Sequence, residues 1–151
     1  MVDATKDRIL QACNRLMREK PFEKITVSLI IKRSGVSKST FYRYFLDKYD
    51  VMNYNYKRNL DSWIVARKCT DWRDLYYCIF SSSIKDKKRE KNAYAVVGTN
   101  SYSTFLHDYS YQTIEKMTVA CRGTPLSREE KFNLSLFCYG GIAMNVDWLN
   151  G

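Results

Sequence analysis

Three observations predict an all-α fold. Apolar residues recur at helical spacing in segment after segment, Ser, Thr and Asp stand where helix caps belong, and no stretch alternates polar and apolar long enough to make a convincing strand. The predicted organisation is an N-terminal helix-turn-helix unit over residues 1–47, followed by a helical bundle over 48–151 that opens with a long connector helix.

Residues 4–19 read as the first helix, with Ile9, Cys13, Leu16 and Met17 in one stripe and Lys6, Asp7, Arg15 and Arg18 outside it. Pro21 ends it. Thr26 is an N-cap for a short helix whose Val27, Ile30 and Ile31 face inward, and Gly35 supplies the left-handed residue that stops it. Ser37 caps the next helix, where Phe41, Tyr44 and Phe45 fall at i, i+3 and i+4. That spacing leaves Lys38, Ser39, Tyr42 and Arg43 outward, so the pair reads as a helix-turn-helix. Asp47 caps a connector over about 48–67, with Leu46 and Val51 spaced for a hydrophobic staple.

Beyond the connector, residues 71–85 make a helix with Trp72, Leu75, Tyr76, Ile79 and Phe80 inward. The run Lys85–Lys91 reads as a solvated turn or helix end, and 92–98 as a short helix closed by Gly98. A longer helix spans about 102–120, with Phe105, Leu106, Tyr109, Ile114 and Met117 inward and Gly123 and Pro125 closing it. Ser127 and Glu130 make a capping box for a last helix through about Leu149.

With 25 Lys and Arg against 16 Asp and Glu, the 151-residue chain carries a formal charge of +9, which favours polyanionic partners, nucleic acid before membrane surface. The excess is densest in front, where residues 1–50 hold 11 basic and 6 acidic side chains. No stretch approaches the roughly 20 apolar residues of a membrane span, and the N-terminus lacks the apolar core of a signal peptide. Five cysteines without a CxxC fit small buried thiols in a cytoplasmic protein. With His107 the lone histidine, on the surface by this reading, no metal site is expected, and no cofactor. An enzyme is disfavoured for want of a nucleophile elbow, phosphate loop or clustered His and carboxylates.

Residues 5–50 resemble the DNA-binding domain of the TetR/AcrR family of transcriptional regulators. The resemblance lies in Pro21-Phe22-Glu23-Lys24-Ile25-Thr26-Val27, Ile30, Ser34-Gly35-Val36-Ser37, Thr40-Phe41-Tyr42-Arg43-Tyr44-Phe45 and Asp47-Lys48. The setting of Trp63, Gly140-Gly141 and Asp147-Trp148-Leu149 is similar to the subgroup containing DhaS. The family likeness implies DNA contacts from Thr26, Ser37, Lys38, Ser39, Thr40, Tyr42, Arg43, Tyr44 and Lys48. Thr26 sits where hydroxyl, amides and helix dipole suit a phosphate, Lys38 suits either a guanine edge or a phosphate, and Ser39 and Thr40 suit bases or backbone. Tyr42 and Lys48 match the family's phosphate contacts, whereas Arg43 departs from the residues usual there and Tyr44 fits core or phosphate equally.

The resemblance further implies a homodimer on a palindromic operator, a repressor more than an activator, modulated at the C-terminal bundle. A small molecule is the implied effector, with Trp63, Trp72, Tyr76, Tyr94, Tyr102, Phe105 and Tyr109 as pocket candidates unless they are core. The DhaS likeness instead implies a co-regulator protein and a small or absent cavity. The family pairs two final helices with those of a twofold mate, whereas only one precedes Gly151 here. Phe132, Leu136, Tyr139, Gly140 and Ala143 on that helix suit a dimer interface or internal packing. A general nucleic-acid binder without an effector is the competing class.

Overall fold

Every α-helix in the computed structural model, which describes residues 3–151, begins on a side chain that accepts a backbone N–H. Asp3 caps α1 (Ala4–Glu19), Thr26 caps α2 (Val27–Ser34) and Ser37 caps α3 (Lys38–Tyr44). Asp47 caps α4 (Lys48–Arg67), Asp71 caps α5 (Trp72–Lys85) and Asp86 caps α6 (Lys87–Tyr94). Ser101 caps α7 (Tyr102–Arg122), and Ser127 with Glu130 completes a capping box on α8 (Arg128–Asn150). Each cap contributes about 1 kcal/mol, so helix starts are fixed locally before tertiary packing acts. A 3-10 turn, Phe22–Lys24, follows α1, and there is no strand among the described residues.

The core is continuous from front to back, and α1 lies at its centre. It packs on α2, α4 and α6 through Ile9, Leu10, Cys13, Leu16 and Met17. Phe22, Ile25, Ile30, Phe41 and Phe45 close around it from the helix-turn-helix, and Val51 and Met52 from α4. Behind them α8 packs on α5, α6 and α7, while α5 and α7 each pack on α4 and α6.

Five sequence expectations fail here. The charge run is not a solvated turn: it forms most of α6, with Arg89 and Glu90 buried and Arg89 Nη2 donating to Glu90 Oε1 at 3.0 Å. Burial pushes the Glu90 carboxyl up in pKa, against the opposing pull of Arg89. The helix expected over 92–98 therefore ends at Tyr94 (Gly98 has φ +105°, beyond the helix). The staple does not form, because Leu46 is exposed and its N–H donates instead to Asp50 Oδ2 at 3.0 Å. Trp72 is exposed, though its ring stacks edge-on against Phe137 of α8. His107 is no free surface residue: it stacks on Tyr139 at 4.0 Å and its Nε2 lies 3.0 Å from Ser135 Oγ.

Gly141 marks the closest approach between α5 and α8. A Cβ there would lie 2.1 Å from Tyr76 Cε1, and Tyr76 is buried and has little room to retreat. Gly141→Ala is expected to lower the unfolding free energy by about 1–3 kcal/mol in urea denaturation. Gly140→Ala, with nothing within 4 Å of the added carbon, should leave it unchanged or raise it by about 0.5–1 kcal/mol.

Candidate nucleic-acid interface

The turn between α2 and α3 is held from outside by α1. Gly35 takes φ +67°, freeing the last carbonyls of α2, and the Arg8 guanidinium meets them. Arg8 Nη2 donates to Ser34 O at 2.9 Å and to Gly35 O at 2.8 Å, while Nε donates to Ser34 O at 3.1 Å. A Cβ on Gly35 would come within 3.4 Å of that guanidinium, so glycine suits both the backbone and the clamp. Sequence reasoning missed Arg8: its partners lie 26 and 27 residues away, and no local pattern announces them.

α3 then buries Phe41 and presents Lys38, Ser39, Tyr42 and Arg43 to solvent, with Thr40 half-buried. Ser37 Oγ accepts the Thr40 N–H at 3.1 Å and lies within 2.9 Å of Ser39 Oγ and 2.8 Å of Thr40 Oγ1. The three hydroxyls form one small network at the helix start, able to redirect donors outward. Neither Lys38 nor Arg43 forms an ion pair among the described residues, so both charges are available to a polyanion. Thr26 is exposed at the start of α2, its Oγ1 accepting Leu29 N–H at 3.2 Å.

Two of the nine expected contacts have other engagements. The Tyr44 hydroxyl donates to Asp3 Oδ2 at 2.5 Å, tying the end of α3 to the start of α1. This bond holds the Asp3 carboxyl below its ordinary range and the Tyr44 phenol above it. The Lys48 ammonium donates to Phe22 O and Ile25 O, both at 2.9 Å, and sits 4.6 Å from the Phe22 ring centroid. Desolvation there lowers its pKa. Lys48 thus clamps the segment leading into α2.

The pocket candidates do not gather round a cavity. Tyr102 is buried against Tyr56 and Tyr94, and Phe105 and Tyr109 continue the same row of rings. Tyr109 donates to Asp61 Oδ1 at 2.7 Å and the Tyr94 hydroxyl accepts from Asn145 Nδ2 at 2.8 Å, as satisfied core tyrosines do. Tyr76 borders only a crevice with no room for a water molecule. Trp63 alone of the seven lines an open groove of about 470 Å³ between α4 and α5. The candidate interface on α8 fares differently. Its inner face is Leu134, Cys138, Ile142, Asn145 and Leu149, which leaves Phe132, Leu136, Tyr139, Gly140 and Ala143 all exposed.

A basic helix-turn-helix thus leads an all-α body. Residues 9–54, the helix-turn-helix and the helices that frame it, match the family model described as bacterial regulatory proteins, tetR family. Three solved structures share its fold. The dihydroxyacetone kinase operon activator DhaS is 14% identical at a TM-score of 0.62, over 95% of this chain and 85% of that one. The fatty acid degradation regulator FadR of Bacillus halodurans is 17% identical at 0.64, over 99% and 86%. A TetR-family regulator of Syntrophomonas wolfei str. Goettingen is 18% identical at 0.54, over 97% and 93%. No curated protein sequence matches the chain. No helix among the described residues is long and apolar enough to cross a membrane.

Removing the Lys48 ammonium strands two half-buried carbonyls. Lys48→Ala is expected to lower stability by about 1–3 kcal/mol and to leave the salt slope of DNA binding unchanged. A slope shallower by about one, in binding titrations across salt concentrations, would instead mark a direct phosphate contact.

Proposed function

We propose that the protein reads a palindromic operator as a homodimer in the cytoplasm and represses transcription by occupying it. The observation that carries this reading is the division of labour on α3: Phe41 inward, and Lys38, Ser39, Tyr42 and Arg43 outward without a carboxylate partner. Lys38 and Ser39, at the helix start, are placed for base edges in the major groove. Thr26, Tyr42 and Arg43 are placed for phosphates, with Ser37 and Thr40 orienting the hydroxyl network between them. Tyr44 and Lys48 serve by holding this surface in place.

One such unit reads few base pairs, and a twofold pair doubles the contact. The outward Phe132, Leu136, Tyr139, Gly140 and Ala143 supply an apolar stripe suited to a second copy, with Gly140 admitting a close backbone. An effector acting on the bundle completes the switch. The interior aromatics stack on one another, so the signal is received at the surface, from a small molecule or a co-regulator protein. DhaS, whose fold the chain shares, is an operon activator, so activation is the runner-up sign of regulation.

The experiment is binding to DNA selected from a random pool, with its palindrome intact or scrambled, at one fixed salt concentration. The palindrome is expected to bind at least tenfold tighter; equal affinities would leave only a general nucleic-acid binder. Tyr42→Phe should weaken both duplexes alike, whereas Lys38→Ala should cost about 1–3 kcal/mol at one base pair and spare the rest.

A further inference from the structure

The groove of about 470 Å³ lies between the outer faces of α4 and α5, apart from the DNA-reading surface and from the exposed stripe on α8. Trp63, Ala66 and Arg67 line it from α4, and Tyr77, Ser81, Ile84 and Lys85 from α5. Two cation–aromatic pairs cross it in opposite directions. Arg67 of α4 lies over the Tyr77 ring of α5 at 4.1 Å, and Lys85 of α5 lies over the Trp63 ring of α4 at 4.3 Å. Small Ala66 and Ser81 leave the space between these pairs open, while Tyr77 and Ile84 are more than half exposed.

Two features set this hollow apart from ordinary surface. Neither Arg67 nor Lys85 has a carboxylate within ion-pair distance among the described residues, although ten other ion pairs form. Stacking on a ring fixes where a cation sits without neutralising it, so both charges stay available to an anion. The walls between them are aromatic and aliphatic, and the volume falls in the range of small-molecule sites, about 300–1,000 Å³.

We propose that this groove binds a small organic anion: a carboxylate or sulfonate head held by Arg67 and Lys85, and a flat apolar body lying between Trp63 and Tyr77. The charge complementarity selects an anion over a cation or a neutral hydrocarbon, and the flanking rings select a planar body over a sugar-like one. This inference deepens the reading of the protein as an effector-controlled regulator, yet it is tested without DNA, so the two stand or fall separately.

The test is a titration of the full chain with 1-naphthaleneacetate, followed by the Trp63 indole and backbone amide signals in NMR, beside 1-naphthylmethylammonium as the cationic match. The expected result is saturable binding of the anion at least tenfold tighter than the cation, with shifts confined to residues 63–67 and 77–85. Arg67→Ala with Lys85→Ala should weaken the anion at least tenfold, and Ser81→Trp should fill the groove and abolish its binding. The inference is overturned if the anion does not saturate, if the cation binds as well, or if the shifts lie elsewhere. It is equally overturned if the double variant, which alters only surface side chains, keeps wild-type affinity.

Discussion

The end of α1 is the joint on which the reading surface depends. A helix terminus leaves its last carbonyls without intrahelical partners, and here they are partly withdrawn from water. Asn92 of α6 meets them: its Nδ2 donates to Met17 O at 2.9 Å and Lys20 O at 2.5 Å. Its Oδ1 accepts the Phe22 N–H at 2.8 Å, so one amide satisfies three backbone groups where the chain turns toward α2. Arg8 and Lys48 repeat the device at the next two junctions. Each such bond nets about 1 kcal/mol, but leaving its buried carbonyl bare would cost about 1–3 kcal/mol, so the geometry is over-determined.

Beneath this joint runs a polar seam through the core. Asn55 Nδ2 of α4 donates to Asn14 Oδ1 of α1 at 2.5 Å, and Arg89 Nη1 of α6 reaches the same oxygen at 3.5 Å. Asn145 Nδ2 of α8 donates to Ser83 Oγ at 3.0 Å and to the Tyr94 hydroxyl. Apolar helices can slide on one another at modest cost. Buried polar partners cannot, because a displaced donor or acceptor finds no substitute. The helix carrying the exposed apolar stripe and the helix that clamps the recognition turn are thereby joined through α6.

What the sequence made legible were interactions that close within a few residues. The caps at Thr26, Ser37, Asp47 and Ser127 each bond an amide three positions on, and the stop at Gly35 needs only its own backbone. The bonds of Lys48 and Tyr44 were not legible, because their partners lie 23 to 41 residues away. The run Lys85–Lys91 misled for a related reason. Composition marks it as solvated, but Arg89 and Glu90 neutralise each other and are buried together, an arrangement that no window of sequence reveals. The aromatics of α5, α6 and α7 were ambiguous for the opposite reason, since helical spacing is the same whether a ring fills a core or lines a hollow. Only the volumes left between helices decide it.

One side chain, Asn92, 48 residues or more from α3 in sequence, thus sets how the outward face of that helix is held. Affinity of Asn92→Ala for the selected palindromic duplex, measured at fixed salt with helicity checked by circular dichroism, tests this most directly. The helical signal should persist while affinity falls about fivefold or more, a loss of about 1 kcal/mol. A folded variant that binds the duplex as tightly as the wild type would contradict the claim.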